Sequence, residues 1–447
     1  MQNPSIVFVE NREKTALWAA IAARLEAAGC RIHWIVQNPV FHPSDARDAY
    51  QLSNERRGPH LTAEEIAKEF PLLLTERGRC YMGSGSAHYR QAYSEIHSAL
   101  DTIRPLAVFG EATLFHELLT IQAAEALGIA YYHPSGERYQ NDRCLFFAGA
   151  TMEPAVAGPD RLDRETAMKM VQTILDGGRR PLYMQQPRGL AATRRRMQWF
   201  QTRFSIWRGR LAGEVHNTPA LSDKLRLWRH QRVNKRRWDA MARPTASPRT
   251  TILYPLQMQP EANIEVWGAP YSDQVELIKR LADAAPAGTT IAVKSNPKWK
   301  YEVDDRLLSL MEARRDIVPL PRSMAMDDAR AATAGAITVT GTIGHEAVFG
   351  LNSCISLRHP VLTEHFPQFA AGTPEEAVEK LLRNPDAARG NPDLGAELLQ
   401  YFYAHSFPGY ILDPFNWPFV LEATNVDILA NAFMHCLEHA TSVSKPN

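Results

Sequence analysis

Cysteine is scarce in this chain, with five in 447 residues. Cys30, Cys80, Cys144, Cys354 and Cys436 stand far apart, are odd in number and form no CxxC pair. The spacing supports neither a disulfide framework nor a cysteine zinc site, and a reducing compartment fits. No apolar run reaches the roughly 20 residues that a membrane span needs. The opening MQNPSIVFVENREK runs directly into a strand pattern and shows no charged-then-apolar leader. These absences lead to the expectation of a cytoplasmic protein. A net charge of one sign is missing as well: 50 Lys and Arg meet 49 Asp and Glu. No global field draws nucleic acid, so any electrostatic function must come from local patches. His60, His88, His116 and His133 lack metal-ligand spacing, and no metal or cofactor is expected.

What the chain does hold is apolar material for more than one core. At roughly 150 residues per domain, its length implies two or three domains. Ser5 to Glu10 is a short β-branched apolar run, Lys14 to Leu25 is Ala-rich with helical spacing, Gly29 closes it, and Ile32 to Val36 is again apolar. Strand, helix, glycine, strand is the opening of a parallel doubly wound sheet. The pattern returns with Pro105 to Phe109, a helix from Leu114 to Leu127 ended by Gly128, and Ile129 to Tyr132. It returns once more with strands at Thr250 to Tyr254, Thr290 to Lys294, Ala336 to Thr340 and Cys354 to Leu357, and a helix from Asp273 to Ala285.

Between the two halves lies a different composition. Arg194-Arg195-Arg196-Met197-Gln198-Trp199-Phe200, Trp207-Arg208 and Lys224 to Trp238 interleave aromatics with arginine. The spacing reads as basic helices: a solvated face, a surface for an anionic leaflet, or a site for a polyanionic substrate. The expected division is 1–178, an N-terminal Rossmann-like domain on the acceptor side, and 179–246, a basic helical insert or linker. A C-terminal Rossmann-like nucleotide-sugar domain over 247–385 and helices over 386–447 that pack back across both domains complete it. The fold class is α/β, with two Rossmann-like domains in a GT-B arrangement, whose active site lies between the domains beside the strand ends.

Several segments can carry chemistry. Thr340-Gly341-Thr342-Ile343-Gly344-His345-Glu346-Ala347 follows an apolar strand and opens a helix. Gly341 and Gly344 would let backbone approach a ligand, the hydroxyls of Thr340 and Thr342 would bind it, and free N–H groups would receive a phosphate. Glu346 would accept from ribose hydroxyls. The spacing matches neither a Walker A loop nor GxGxxG, which disfavours ATP and NAD. Gln257, Gln259 and Glu261 follow another strand end, where buried amides and a carboxylate need partners. Lys294 and Asn296 end the next strand, and Lys294 is placed to pair with a phosphate or sugar carboxylate. In the first half Glu111 stands at a buried strand tip, where burial is expected to raise its pKa for base or nucleophile work. Arg138, after the following strand, could hold an anionic substrate. Helix capping for Glu111 and a surface ion pair for Arg138 are the plainer readings.

In this order YPLQMQPEANIEVWGAPYSDQVELIKRL, TIAVKSNP and ITVTGTIGHEAVFG resemble the bacterial capsule-polysaccharide-synthesis glycosyltransferases, among them the retaining β-Kdo transferases that use CMP-Kdo. The likeness covers residues 250–360, with GEAT at 110–113 and SGER at 135–138 fitting more weakly. It implies a GT-B enzyme that moves a Kdo-like 3-deoxy-ulosonic acid from a CMP donor to a surface glycan or glycolipid. Carried over, Lys294 contacts the donor, Thr340, Thr342 and Glu346 grip the nucleotide, and Glu111 or Glu261 acts as nucleophile or base. The chain departs from the family at Asn296, where the resemblance expects a histidine near the donor phosphate. His345 is the nearest substitute in the sequence. The alternatives are a UDP-sugar 2-epimerase-like enzyme and a non-catalytic subunit of a polysaccharide-synthesis complex. No nucleic acid partner is expected, and the basic 188–238 region is the expected place of peripheral contact with the inner membrane.

Overall fold

The structure is a computed structural model that describes residues 3–44, 46–53, 58–177, 204–218, 220–244 and 248–443. The described residues fall into two compact units. Unit one takes those within Met1–Leu162, Arg179–Ala220 and Gln400–Asn447, and unit two those within Asp163–Gly178 and Leu221–Leu399.

The strands are β1 (Ser5–Val9), β2 (Arg31–Val36), β3 (Asp48–Gln51), β4 (Ala107–Phe109), β5 (Ala130–Gly136) and β6 (Arg143–Ala148) in unit one. Unit two holds β7 (Thr251–Pro255), β8 (Thr290–Lys294), β9 (Ile317–Pro319), β10 (Gly335–Thr338) and β11 (Cys354–Ser356), and β12 (Ser406–Pro408) returns to unit one. The first sheet runs β12-β6-β5-β4-β1-β2-β3 and the second β11-β10-β7-β8-β9. All pairings in the second sheet are parallel, as are those from β3 across to β5 in the first; β6 and β12 are antiparallel. Counted within its own unit, each parallel set has the order 3-2-1-4-5, so each unit is a Rossmann-like α/β fold.

Burial explains why these runs became central strands. Ile6, Val7, Phe8 and Val9 are all fully buried, as a strand covered on both faces requires. Phe8 stacks on Trp34 and Phe109 at 5.3 and 5.6 Å between ring centroids, and Phe433 closes on Phe109 at 4.6 Å. Gly29 and Gly128 end their helices with φ of +96° and +67°, a conformation that disfavours side chains.

The linear domain division differs from the observed one. Residues 163–178 belong to unit two, the expected insert is shared between the units, and 400–447 belong to unit one. The physical reason is core completion. Phe407 from β12, with Leu429 and Phe433 from the helix Ala423–Val443, fills the core of unit one. The motif over Arg194 to Phe200, and the 188–203 part of the basic region, lie outside the described residues.

Candidate functional site

In an open α/β sheet the ligand crevice forms beyond the carboxyl ends of the strands, where the strand order reverses. That switch point lies between β7 and β10 in unit two and between β1 and β4 in unit one.

At the unit-two switch point, Gln257 and Thr340 hold one another. Gln257 Nε2 donates to Thr340 Oγ1 at 2.9 Å, Thr340 N donates to Gln257 Oε1 at 3.2 Å, and Thr340 Oγ1 donates to the Asn263 carbonyl at 2.5 Å. Gln259 turns into the loop, donating to the Ser272 carbonyl at 3.0 Å. Glu261 is half-buried on the same loop, and its carboxylate has no hydrogen-bond partner among the described residues. Asn296 caps its own turn by accepting from Lys298 N at 2.9 Å. Gly341 N donates to Thr338 Oγ1 at 3.2 Å, and a Cβ at Gly341 would strike that oxygen at 2.5 Å. Thr342 precedes the helix Ile343–Val348 and its side chain caps nothing, leaving a half-buried hydroxyl open.

Lys294 is the electrostatic centre of this edge. It is 5% exposed at the end of β8, and its ammonium meets only the carbonyls of Arg322 at 3.3 Å and Ser295 at 3.5 Å. No carboxylate pairs with it among the described residues. Burial, with the Arg322 charge adding to it, lowers its pKa. A buried cation with carbonyls alone around it is costly, and an anion arriving there relieves that cost.

Three expectations for the Thr340–Glu346 segment take a different form. Gly344 does not face a ligand: its missing Cβ makes room for Leu362 Cδ1, 3.1 Å from where that atom would be. His345 is 1% exposed and turns into its own unit, with Nε2 2.8 Å from Nε2 of His359. Glu346 forms an ion pair with Arg330 of the helix Met326–Ala331. Burial raises the Glu346 pKa and Arg330 works against that rise. Side chains at successive positions of a six-residue helix point in different directions, so one loop cannot present them all at the strand ends.

In unit one, Glu111 pairs with Lys14. Its pKa is lowered, contrary to expectation: burial pushes it up, but Lys14 and then His133 outweigh burial and keep the carboxylate ionised. Tyr131 donates its hydroxyl to the Glu111 carbonyl at 2.6 Å, and a Cβ at Gly110 would strike that hydroxyl at 2.3 Å. The pKa of the neighbouring Glu117 is raised instead by burial; fully buried, this carboxylate accepts from Asn11 Nδ2 at 2.7 Å, Leu114 N at 2.8 Å and Thr113 N at 3.0 Å. It fastens β1 to the start of the helix Phe115–Ala126. Glu10, also fully buried, accepts from Arg12 N at 2.6 Å and Asn38 N at 2.9 Å. Arg138 is half-buried beside Glu137, whose raised pKa comes from burial and is opposed by neighbouring backbone N–H groups and the Arg138 charge.

Sequence reasoning missed Lys14, His133 and Glu117 as parts of this edge. Lys14 reads only as the start of a helix, and His133 only as a histidine without metal-ligand spacing. Glu117 alone left a signal, as a carboxylate three residues after Leu114 at a helix beginning.

No family model matches the chain, and no curated protein matches its sequence. Among solved structures it is similar to the UDP-GlcNAc 2-epimerase from Methanocaldococcus jannaschii, at 14% identity over 89% of this chain and 98% of that one, with a TM-score of 0.27. It is similar to the UDP-N-acetylglucosamine 2-epimerase from Rickettsia bellii at 12% identity, over 89% and 95% of the two chains, with a TM-score of 0.27. A calicheamicin glycosyltransferase gives 12% identity over 90% and 98%, with a TM-score of 0.24. Scores this low carry no argument, and the two-unit fold rests on the strand orders themselves.

Proposed function

We propose that the chain is a glycosyltransferase of GT-B type that moves a Kdo-like 3-deoxy-ulosonic acid from its CMP donor to a glycan or glycolipid acceptor. The observation that carries this reading is Lys294: a buried ammonium without a carboxylate partner among the described residues, at the strand ends beside a switch point lined by Thr340, Gly341 and Thr342. A phosphate bearing an acidic sugar is the kind of anion that such a cation suits. In this reading the Thr342 hydroxyl and the Gly341 backbone meet the nucleotide, and Glu346 reaches its ribose only by giving up Arg330.

In the transfer, the acceptor hydroxyl oxygen bonds to the anomeric carbon. The bond from that carbon to the CMP phosphate oxygen breaks, and CMP leaves with the electron pair. Lys294 stabilises the charge that develops on the departing phosphate. The hydroxyl proton passes to a carboxylate, for which Glu261, without a partner, and Glu111, kept ionised by Lys14, are the two choices. Should either carboxylate attack the sugar first, the same bonds change in two steps through a covalent glycosyl adduct.

Thermal-shift titration with CMP, UDP, GDP and ADP tests the donor, since a ligand bound only by the folded state raises its apparent stability. The expected result is a rise in midpoint with CMP that Lys294→Ala removes, each midpoint being read against the same variant without ligand. A rise with UDP instead, together with sugar product formed without acceptor, would replace this reading by the epimerase-like one. Nucleotide binding with no turnover of any activated sugar would leave a non-catalytic subunit.

A further inference from the structure

We infer that the helix Leu221–Met241 is an interfacial element that lays unit two against an anionic lipid surface. One face of it is docked. Gln231 Nε2 donates to the Lys300 carbonyl at 3.0 Å, Asn234 Nδ2 to the Val303 carbonyl at 3.0 Å, and Trp238 Nε1 to the Leu320 carbonyl at 2.9 Å. The opposite face carries Leu221, Leu225 and Trp228, at spacings of four and three residues, with exposures of 74%, 48% and 51%. Eight of the thirteen large hydrophobic side chains that stand exposed among the described residues fall between Phe204 and Val233. A random scatter of surface apolar residues needs no explanation, but this concentration does.

The charge on the same face selects the occupant. Arg229, Arg232 and Arg236 continue the stripe, are exposed, and take part in no ion pair among the described residues. The Arg232 guanidinium lies 4.7 Å from the centroid of the Trp228 ring. The two acidic residues of the helix are already matched, Asp223 by Arg226 at 2.6 Å and Asp239 by Arg322 at 2.7 Å. Leucine and tryptophan flanked by arginines without carboxylate partners among the described residues suit the headgroup boundary of an anionic leaflet. The helix is anchored along its other side, so it lies in the interface plane. No helix among the described residues is long and apolar enough to cross a membrane. Unit one carries a stripe of its own on the helix over 204–211, where Phe204, Trp207 and Leu211 are 59%, 46% and 69% exposed. The inference stands whatever sugar the protein handles.

Sedimentation of the full chain with vesicles of phosphatidylglycerol and phosphatidylcholine, against phosphatidylcholine alone, tests it. Binding is expected only where phosphatidylglycerol is present, and added salt should weaken it. The double substitution Leu225→Ser with Trp228→Ser should lower apparent affinity by about tenfold or more, because the apolar area is lost. Arg229→Glu with Arg232→Glu should abolish the dependence on phosphatidylglycerol, with the thermal midpoint unchanged in both variants. Absence of vesicle binding, or equal binding by wild type and variants, would overturn the inference. So would finding that the same substitutions relieve self-association or RNA retention while vesicles are ignored.

Discussion

At the scale of single residues, the two strand-end edges differ in how their charges are matched. Lys14 and Glu111 neutralise each other in unit one, while Lys294 in unit two meets only carbonyls among the described residues. His133 shows what burial does beside such a pair. It is 3% exposed, and burial pushes its pKa down to about 4, with Glu111 opposing the fall and Lys14 adding to it. In the unfolded chain this group has its ordinary value of 6.5. As pH falls below that value the unfolded state takes a proton that the folded state refuses until about 4. Stability is therefore full above 6.5 and is lost on acidification between these two values, with a slope of about 1.4 kcal/mol per pH unit for one such group. His133→Gln should flatten the acid limb by about that slope in urea unfolding followed against pH, and an unaltered limb would contradict the assignment. His88, buried and pushed down to about 3 chiefly by burial, keeps its own contribution in that variant.

At the scale of elements, the helix Leu221–Met241 makes the two-face argument concrete. Its composition is polar, yet its docked face carries one large side chain into the core. Trp238 is fully buried against Trp299, with ring centroids 5.6 Å apart, and belongs to the core of unit two. Trp238→Ala should destabilise the protein by roughly 3–5 kcal/mol, through lost transfer energy and the cavity left behind. Denaturant unfolding with a readout in unit two would register it, and a loss below 1 kcal/mol would mean the site collapses freely. Trp228, ten residues earlier and half exposed, should cost almost nothing on the same assay. The contrast separates the docked face from the one assigned to lipid.

At the scale of the whole molecule, the chain order and the core order disagree. Unit one is closed by residues that come last in the sequence: Phe407 pairs β12 to β6, and Phe433 and Leu429 lie among its core side chains. Unit two has its own core, built around Ile252, Val293, Ile337 and Ile355 of its sheet. A chain ending at Leu399 should therefore lose the cooperative transition of unit one and keep that of unit two, seen by calorimetry as one heat-absorption peak where the full chain gives two. Two peaks in the truncated chain would show that unit one closes without its C-terminal helix.

The local alphabet of the fold was legible in the residues. Ser5 to Glu10, Thr290 to Lys294 and Ala336 to Thr340 read as buried parallel strands because both faces are apolar, and Gly29 and Gly128 marked helix ends because only glycine tolerates the left-handed turn there. β3, β6, β9 and β12 did not announce themselves: β3 is largely exposed, β9 and β12 end in proline, and β6 opens on a buried arginine. Strand ends likewise brought Gln257, Lys294 and Thr340 into view as candidates. What the sequence could not supply was partnership. That Glu111 meets Lys14, that Glu346 is taken by Arg330, that His345 turns to His359 and that Lys294 meets no acid among the described residues depends on which side chains arrive from up to about a hundred positions away. Spacing along a chain sets local geometry, but the electrostatic state of a group is fixed by neighbours in space, and only the folded sheets determine those.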